Sequence, residues 1–208
     1  AASKYASIDD AEIKQLTSFR RPIVLTRQKP WLLPMDINDN LDTIGIMLPY
    51  MPLHYLLFEK LETDLIVLTS GNLSDEPILI DNQKALDTFK DKVDGILTYN
   101  RKIHNRADDS VVSIFNGKAV PFRRSRGYVP EPIILDKEGP SVFATGAMWK
   151  NTFVVTKGQR AFVSQHIGNV SDADNARHFE LTFRRFSDLL NVEPQIVACD
   201  LHPDYPTT

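Results

Sequence analysis

The residues best equipped for chemistry lie between Asp108 and Tyr128, where Asp-Asp-Ser precedes and Arg-Arg-Ser-Arg follows two apolar-rich runs joined by Asn116-Gly117. Arginine presents a planar fork of N–H donors that matches phosphate oxygens, and neighbouring carboxylates hold such forks in orientation. Asp108, Asp109, Ser110, Arg123, Arg124, Ser125 and Arg126 therefore read as a phosphate or nucleotide site. The plainer alternative is a solvated hairpin end, whose cross-strand ion pairs contribute only ~0.2–1 kcal/mol each. A second group is Thr69, Ser70 and Asn72 around Gly71, directly after the apolar run Leu65–Leu68. Hydroxyl and amide groups at the end of a buried strand can hydrogen-bond a ligand, and glycine lets it approach the backbone. The alternative there is a polar turn.

These groups need elements to place them. Asn-Gly between apolar runs predicts a two-residue hairpin turn, because both central residues of a type I′ turn take positive φ. That turn sets Phe115 opposite Lys118, Val112 opposite Pro121, Ser110 opposite Arg123, Asp109 opposite Arg124 and Asp108 opposite Ser125. Upstream, Ser7–Asp10 reads as a capping box for a short helix carrying Ile13 and Leu16, and Ile23–Thr26 as a strand. Trp31 and the run Asn38–Asn40 fall in a loop. Ile44–Leu48 reads as a buried strand, followed by a helix whose Leu53, Leu56, Leu57 and Leu61 share one face. Leu65–Leu68 and Gly95–Thr98 read as further strands, separated by a helix around Ala85, Leu86 and Phe89. His104 has no second His or Cys at ligand spacing, so no metal site is assigned.

From Tyr128 to Pro140 the chain is rich in proline and charge, and residues 136–140 read as a linker between residues 1–135 and 141–208. Beyond it come Val142–Ala144, a strand Thr152–Thr156, a Lys157-Gly158-Gln159 turn and a strand Arg160–Ser164. Ser171–Asp174 then caps a helix with Ala176, Phe179, Phe183, Phe186 and Leu190 on one face. Ile196–Asp200 closes the chain as a buried strand, with Cys199 packed inside it. The fold class is thus α/β (α+β): a twisted mixed sheet with helices, then a unit of strands, one helix and a last strand.

Composition bounds the function. The 208 residues are 42% hydrophobic and 25% charged, an ordinary globular balance. A net charge of −3 argues against a dedicated nucleic-acid binder. A single cysteine excludes an internal disulfide, no apolar run nears the roughly 18 residues of a membrane span, and the first residues show no signal-peptide pattern. A cytoplasmic location is expected.

Ile46-Met-Leu-Pro-Tyr-Met-Pro-Leu-His54, Leu68-Thr-Ser-Gly-Asn72, Asp108-Asp-Ser-Val-Val112, Arg124-Ser-Arg-Gly-Tyr-Val-Pro130, Gly146-Ala-Met-Trp-Lys-Asn-Thr152, His166-Ile-Gly168 and Asp200-Leu-His-Pro-Asp-Tyr205 occur in this order across nearly the whole chain. Together they resemble the carbamoyltransferase HypF family of NiFe-hydrogenase maturation. The resemblance implies the later part of a YrdC-like domain followed by the opening of a TsaD-like domain, of ribonuclease-H-like or actin-like ATPase type. It implies that a Lys- and Arg-bearing segment precedes Ala1, and that a His-rich metal motif follows Thr208. Departures from the family pattern are Met51 in place of Thr, Trp149 after Met148, and Asn169 in place of Asp.

The family's chemistry uses carbamoyl phosphate and ATP with Mg²⁺ to form carbamoyl adenylate, and passes the carbamoyl group to the C-terminal cysteine of HypE. Zinc or iron is expected only in parts of the full-length protein outside this chain. Under this resemblance Thr69, Ser70, Asn72, Asp109, Ser110, Arg124, Ser125 and Arg126 bind the nucleotide or adenylate, and Lys150, Asn151 and Thr152 cradle phosphate in the second domain. No residue is assigned a catalytic role. The rival functions are a YrdC-like RNA-binding module, using Arg101, Lys102, Arg106, Arg123, Arg124 and Arg126, and an enzyme of tRNA threonylcarbamoyladenosine synthesis.

Overall fold

A computed structural model describes the chain except residues 31, 35, 36, 39, 40, 74, 75 and 172. Trp31, the Asn38–Asn40 turn and the Ser171–Asp174 cap fall wholly or partly outside the described residues. The chain forms two compact units, residues 1–68 with 109–128, and residues 69–108 with 129–208. Each carries a mixed β-sheet, as the expected fold class requires.

In the first unit, α1 (Ala2–Tyr5) and β1 (Ala6–Ser7) lead to α2 (Asp10–Thr17), then β2 (Ile23–Gln28), β3 (Thr43–Ile46), α3 (Pro52–Lys60), β4 (Val111–Phe115) and β5 (Lys118–Arg123). The capping box of α2 is Asp9 with Glu12, not the Ser7–Asp10 pair, because Ser7 is held in β1. β2 is the hub. Leu25 faces Gly45 of β3 on one edge and Ser113 of β4 on the other, antiparallel and parallel respectively. Arg27 faces both Ser7 and Thr43, so β1 shares an edge of β2 with β4. Leu16, Val24 and Val112 are buried together, with Ile8, Ile46, Leu48 and Tyr128 packed against them.

Two apolar runs expected as strands are not strands. Leu65–Leu68 and Gly95–Thr98 have no ladder, and Val67, Leu68 and Leu97 are exposed. Apolarity without a partner edge leaves backbone groups unpaired, so such a run gains nothing by extending. β3 is shorter than expected and alternates exposed with half-buried residues, as an edge strand does. The helix at Leu53–Leu57 forms, but Leu53, Leu56, Leu57 and Leu61 are exposed.

In the second unit α4 (Asn82–Phe89) is followed by β6 (Ile133–Gly139), β7 (Val142–Ala144), β8 (Val154–Val163), α5 (Ala173–Leu190) and β9 (Ile196–Ala198). The expected linker at 136–140 is mostly β6, which pairs antiparallel with β8. A straight strand the length of β8 would hold its ends about 30 Å apart. Yet Ser164 N–H donates to Phe153 O at 2.8 Å, so the chain doubles back within β8. Gly158, at φ +58°, supplies the reversal expected at Lys157–Gln159. One arm of β8 pairs with β7 and the other with β6. β9 lies parallel to β7, but it stops at Ala198 and is exposed, and Cys199 is exposed beyond it rather than packed. Phe143, Phe153, Val155, Phe162, Ile167, Phe186 and Val192 form the core, with Phe179, Phe183 and Leu190 against it. Among the described residues no helix is long and apolar enough to cross a membrane.

Candidate functional site

The β4–β5 hairpin turns at Asn116-Gly117, both at positive φ, with Phe115 opposite Lys118 and Val112 opposite Pro121 as expected. Beyond that pair the register slips: Val111, not Ser110, faces Arg123, and Phe122 is the extra residue. Between these two pairs β5 carries one residue more than β4, which is a β-bulge. The expected pairing of Asp109 with Arg124 is thereby lost.

Asp109 finds Arg126 instead. Arg126 Nε donates to Asp109 Oδ1 at 2.6 Å, one terminal nitrogen to Arg20 O at 3.0 Å, and the other to Arg21 O at 2.7 Å and to the Met47 sulfur at 3.4 Å. The guanidinium also lies 3.5 Å from the centre of the Tyr50 ring, within cation–π range. Burial, and then the Asp109 charge, push the Tyr50 phenol up from its ordinary pKa against the opposing pull of Arg126, so it stays a neutral hydroxyl. Arg126 is therefore a clamp joining the chain before β2, the chain after β3 and the chain before β4.

Ser110 and Ser125 complete the frame. Ser110 Oγ accepts the Ser125 N–H at 2.8 Å and donates to Arg126 O at 2.9 Å, and both serines are fully buried. Gly127 must be glycine, at φ +84°, since a Cβ there would meet Arg20 O at 2.8 Å. Arg20 Nε donates to Gly127 O, and its guanidinium lies 4.8 Å from the centre of the Tyr128 ring. Arg123 and Arg124 are half-buried beside this frame. The part of Arg20, Met47 and Tyr50 was not readable from the sequence, since each meets Arg126 from more than seventy residues away.

In the second unit Thr69 and Ser70 are exposed, and Asn72 closes its own turn by donating to Leu73 O and Glu76 O. Lys150, Asn151 and Thr152 follow a turn at Gly146, whose φ of +73° and closeness to Thr152 O leave no room for a side chain. Asn151 is buried and gives its amide hydrogens to Thr145 O and Ala147 O, so it braces the loop. Asn169 Oδ1 accepts the Lys150 N–H at 3.0 Å, which puts the amide at position 169 to structural use.

His178 on α5 is buried, with Nδ1 3.3 Å from Thr182 Oγ1. Burial first, then the charges of Arg106 and Arg185, lower its pKa to about 4. The folded chain thus resists a proton that the unfolded chain accepts near 6.5, so stability is intact above that pH and falls as pH drops from 6.5 through about 4. The expected result is a melting temperature that declines over this window in the wild type and less steeply in His178→Gln. Equal slopes would remove His178 from the account.

Comparison with known families decides the relationship. Residues 1–125 match the Sua5_yciO_yrdC family model, described as telomere recombination. The chain belongs to that family. Residues 137–208 match the HypF Kae1-like domain. Relatives are the carbamoyltransferases HypF of Rhizobium leguminosarum bv. viciae, 41% identical over 99% of this chain, and of Synechocystis sp., 41% identical over 95%. The chain spans 28% and 26% of their lengths. Among solved structures, full-length HypF in a phosphate- and nucleotide-bound form is 46% identical with a TM-score of 0.93, over all of this chain and 33% of that one. HypF of T. kodakarensis is 40% identical with a TM-score of 0.94, over 99% of this chain and 27% of that one. In Sua5/YciO/YrdC terms the clamp around Arg126 straddles the C-terminal limit of the matched region.

Proposed function

We propose that this chain is part of an ATP-dependent carbamoyltransferase that makes carbamoyl adenylate from carbamoyl phosphate and ATP. The carbamoyl group then passes to the C-terminal cysteine of HypE, for the cyanide ligands of NiFe hydrogenase. The observation that supports this reading is the joining, in one chain, of a YrdC-type and a HypF Kae1-like region, aligned with HypF carbamoyltransferases over 99% of its length. Cytoplasmic placement goes with it.

Adenylation of carbamate joins a carboxylate-type oxygen to the α-phosphorus and expels pyrophosphate, so its cost is charge on phosphate oxygens, met by preorganised donors. In this reading Arg124 supplies a charged donor in the first unit, and Ser70, Thr69 and Asn72 supply neutral hydrogen bonds in the second. Asp109, Ser110, Ser125 and Arg126 are engaged with one another, so their part is to frame the backbone next to Arg124. Lys150 and Thr152 serve phosphate in the second region, with Asn151 bracing their loop. Among the described residues no group of three or more His, Cys, Asp or Glu stands together as a metal cage.

Titration calorimetry with ATP tests the site. Arg124→Ala should remove a charged hydrogen bond of about 1.5–3 kcal/mol, or roughly ten- to a hundredfold in affinity. Ser70→Ala should remove only about 0.5–1.5 kcal/mol. Unchanged affinity in both variants would move the nucleotide elsewhere.

A further inference from the structure

We propose that Arg106 and Arg185, beside the buried His178 of the second unit, form a binding site for a phosphate-type oxyanion. The proposal rests on these residues alone and is independent of the function proposed above. Neutral groups bring the two guanidiniums there. Arg106 Nε donates to Ile78 O at 2.7 Å, and buried Gln165 donates from Nε2 to Arg106 O at 3.2 Å. Arg185, on α5, gives Nη1 to His104 O at 2.6 Å and to Asn105 Oδ1 at 3.0 Å. All of these residues lie in the second unit. Residues 104–106 belong to no helix or strand, so side-chain bonds fix a stretch that no ladder fixes.

Counter-charge is what the pair lacks. Among the described residues neither guanidinium has a carboxylate within ion-pair distance. The terminal nitrogens of Arg106, and Nε and Nη2 of Arg185, have no acceptor among them either. Asp174 is the acid whose charge reaches Arg106, but it is exposed and shared with Lys84 at 4.0 Å and Arg177 at 3.7 Å. Asp108 has a partner of its own. Two planar forks are thus left with donors to spare, and such forks match the oxygens of a phosphate group.

The buried imidazole registers the field they create. His178 precedes Arg185 by two helical turns, on the same side of α5, and its Nδ1 lies 3.3 Å from Thr182 Oγ1. Burial first, and then the charges of Arg106 and Arg185, hold it neutral. Burial also lowers the pKa of Arg106, with Asp174 opposing and Arg185 adding to the fall. Partly desolvated cations kept near one another cost free energy that a bound anion returns, so the arrangement favours one. Perturbed groups gathered in this way mark a functional site more often than a structural one.

The ring resonances of His178 in the 208-residue protein, assigned by their loss in His178→Gln, provide the test. Sulfate is the first probe, because it carries the phosphate shape and does not titrate over the range. Followed from neutral pH downwards, the His178 midpoint should rise from about 4 towards 6.5 in sulfate, and stay put in chloride of equal ionic strength. A rise of about one unit means that the protonated form binds the anion about tenfold more tightly. Inorganic phosphate should bind about tenfold more weakly to Arg106→Ala and to Arg185→Ala. Arg184→Ala removes a positive charge from the same helix, paired outwards with Glu180, and should bind phosphate as the wild type does. Should either alanine variant unfold, Arg106→Lys and Arg185→Lys decide, since they keep the charge and lose the fork, and each should weaken phosphate about threefold. Read at His178, AMP that binds more tightly than inorganic phosphate identifies a nucleotide's phosphate as the ligand, and AMP that binds no more tightly identifies the free anion. A His178 midpoint equal in sulfate and chloride, or phosphate bound equally by the wild type and the Arg106 and Arg185 variants, would overturn the proposal.

Discussion

Arg126→Ala is expected to cost about 2–4 kcal/mol, a large share of the stability of a small domain. The side chain is only 21% exposed, and its removal leaves the Asp109 carboxylate, 26% exposed, without its cation. Two backbone carbonyls, Arg20 O and Arg21 O, lose their donors at the same time, and the Tyr50 ring loses the charge on its face. The double variant Arg126→Ala, Asp109→Ala should recover part of the loss, since no charge is left stranded. Chemical denaturation of the four species gives the cycle. Additive losses would show that Arg126 acts by packing and its carbonyl bonds, with no coupling to Asp109.

Phe153→Ala should cost about 3–5 kcal/mol, the usual range for removing a fully buried aromatic ring. Phe153 is fully buried and meets Phe143, Phe179, Phe183 and Phe186 at centroid distances of 5.5–5.9 Å, at steep angles. These edge-to-face contacts add to the area term, and no neighbour can fill the hole without leaving its own partners. Phe153→Leu should cost appreciably less because it keeps most of the volume. Urea unfolding followed by near-ultraviolet circular dichroism reports this core. A loss under ~1 kcal/mol for the alanine variant would mean that α5 closes onto the cavity.

The sequence carried the local rules well. Asn116-Gly117 gave the turn, the 3.6 period of Phe179, Phe183, Phe186 and Leu190 gave α5, and Gly158 marked a reversal. What it did not carry was set by partners distant in the chain. Leu65–Leu68 had the composition of a strand but no edge to join, and Ile133–Gly139, flanked by Pro132 and Pro140 and carrying three charges, looked like a linker in part but found β8. The hairpin register failed at one residue, the extra Phe122 beside Pro121, which strict counting from the turn does not foresee. Asp109 meets Arg126 rather than the Arg124 that the hairpin register set opposite it, and the wrap of Arg20, Arg21, Met47 and Tyr50 around them obeys no period.

The bulge at Phe122 has an effect beyond the clamp. β5 is an outer strand of its sheet, and an open row of backbone donors and acceptors is a template on which another chain can grow. Here the row is interrupted twice, by Pro121 with no hydrogen to give and by Phe122, which stands out of the ladder with its ring in solvent. An incoming strand would find neither the spacing nor the donors it needs. The irregularity beside the Asp109–Arg126 pair thus also guards this one edge of the sheet against edge-to-edge growth.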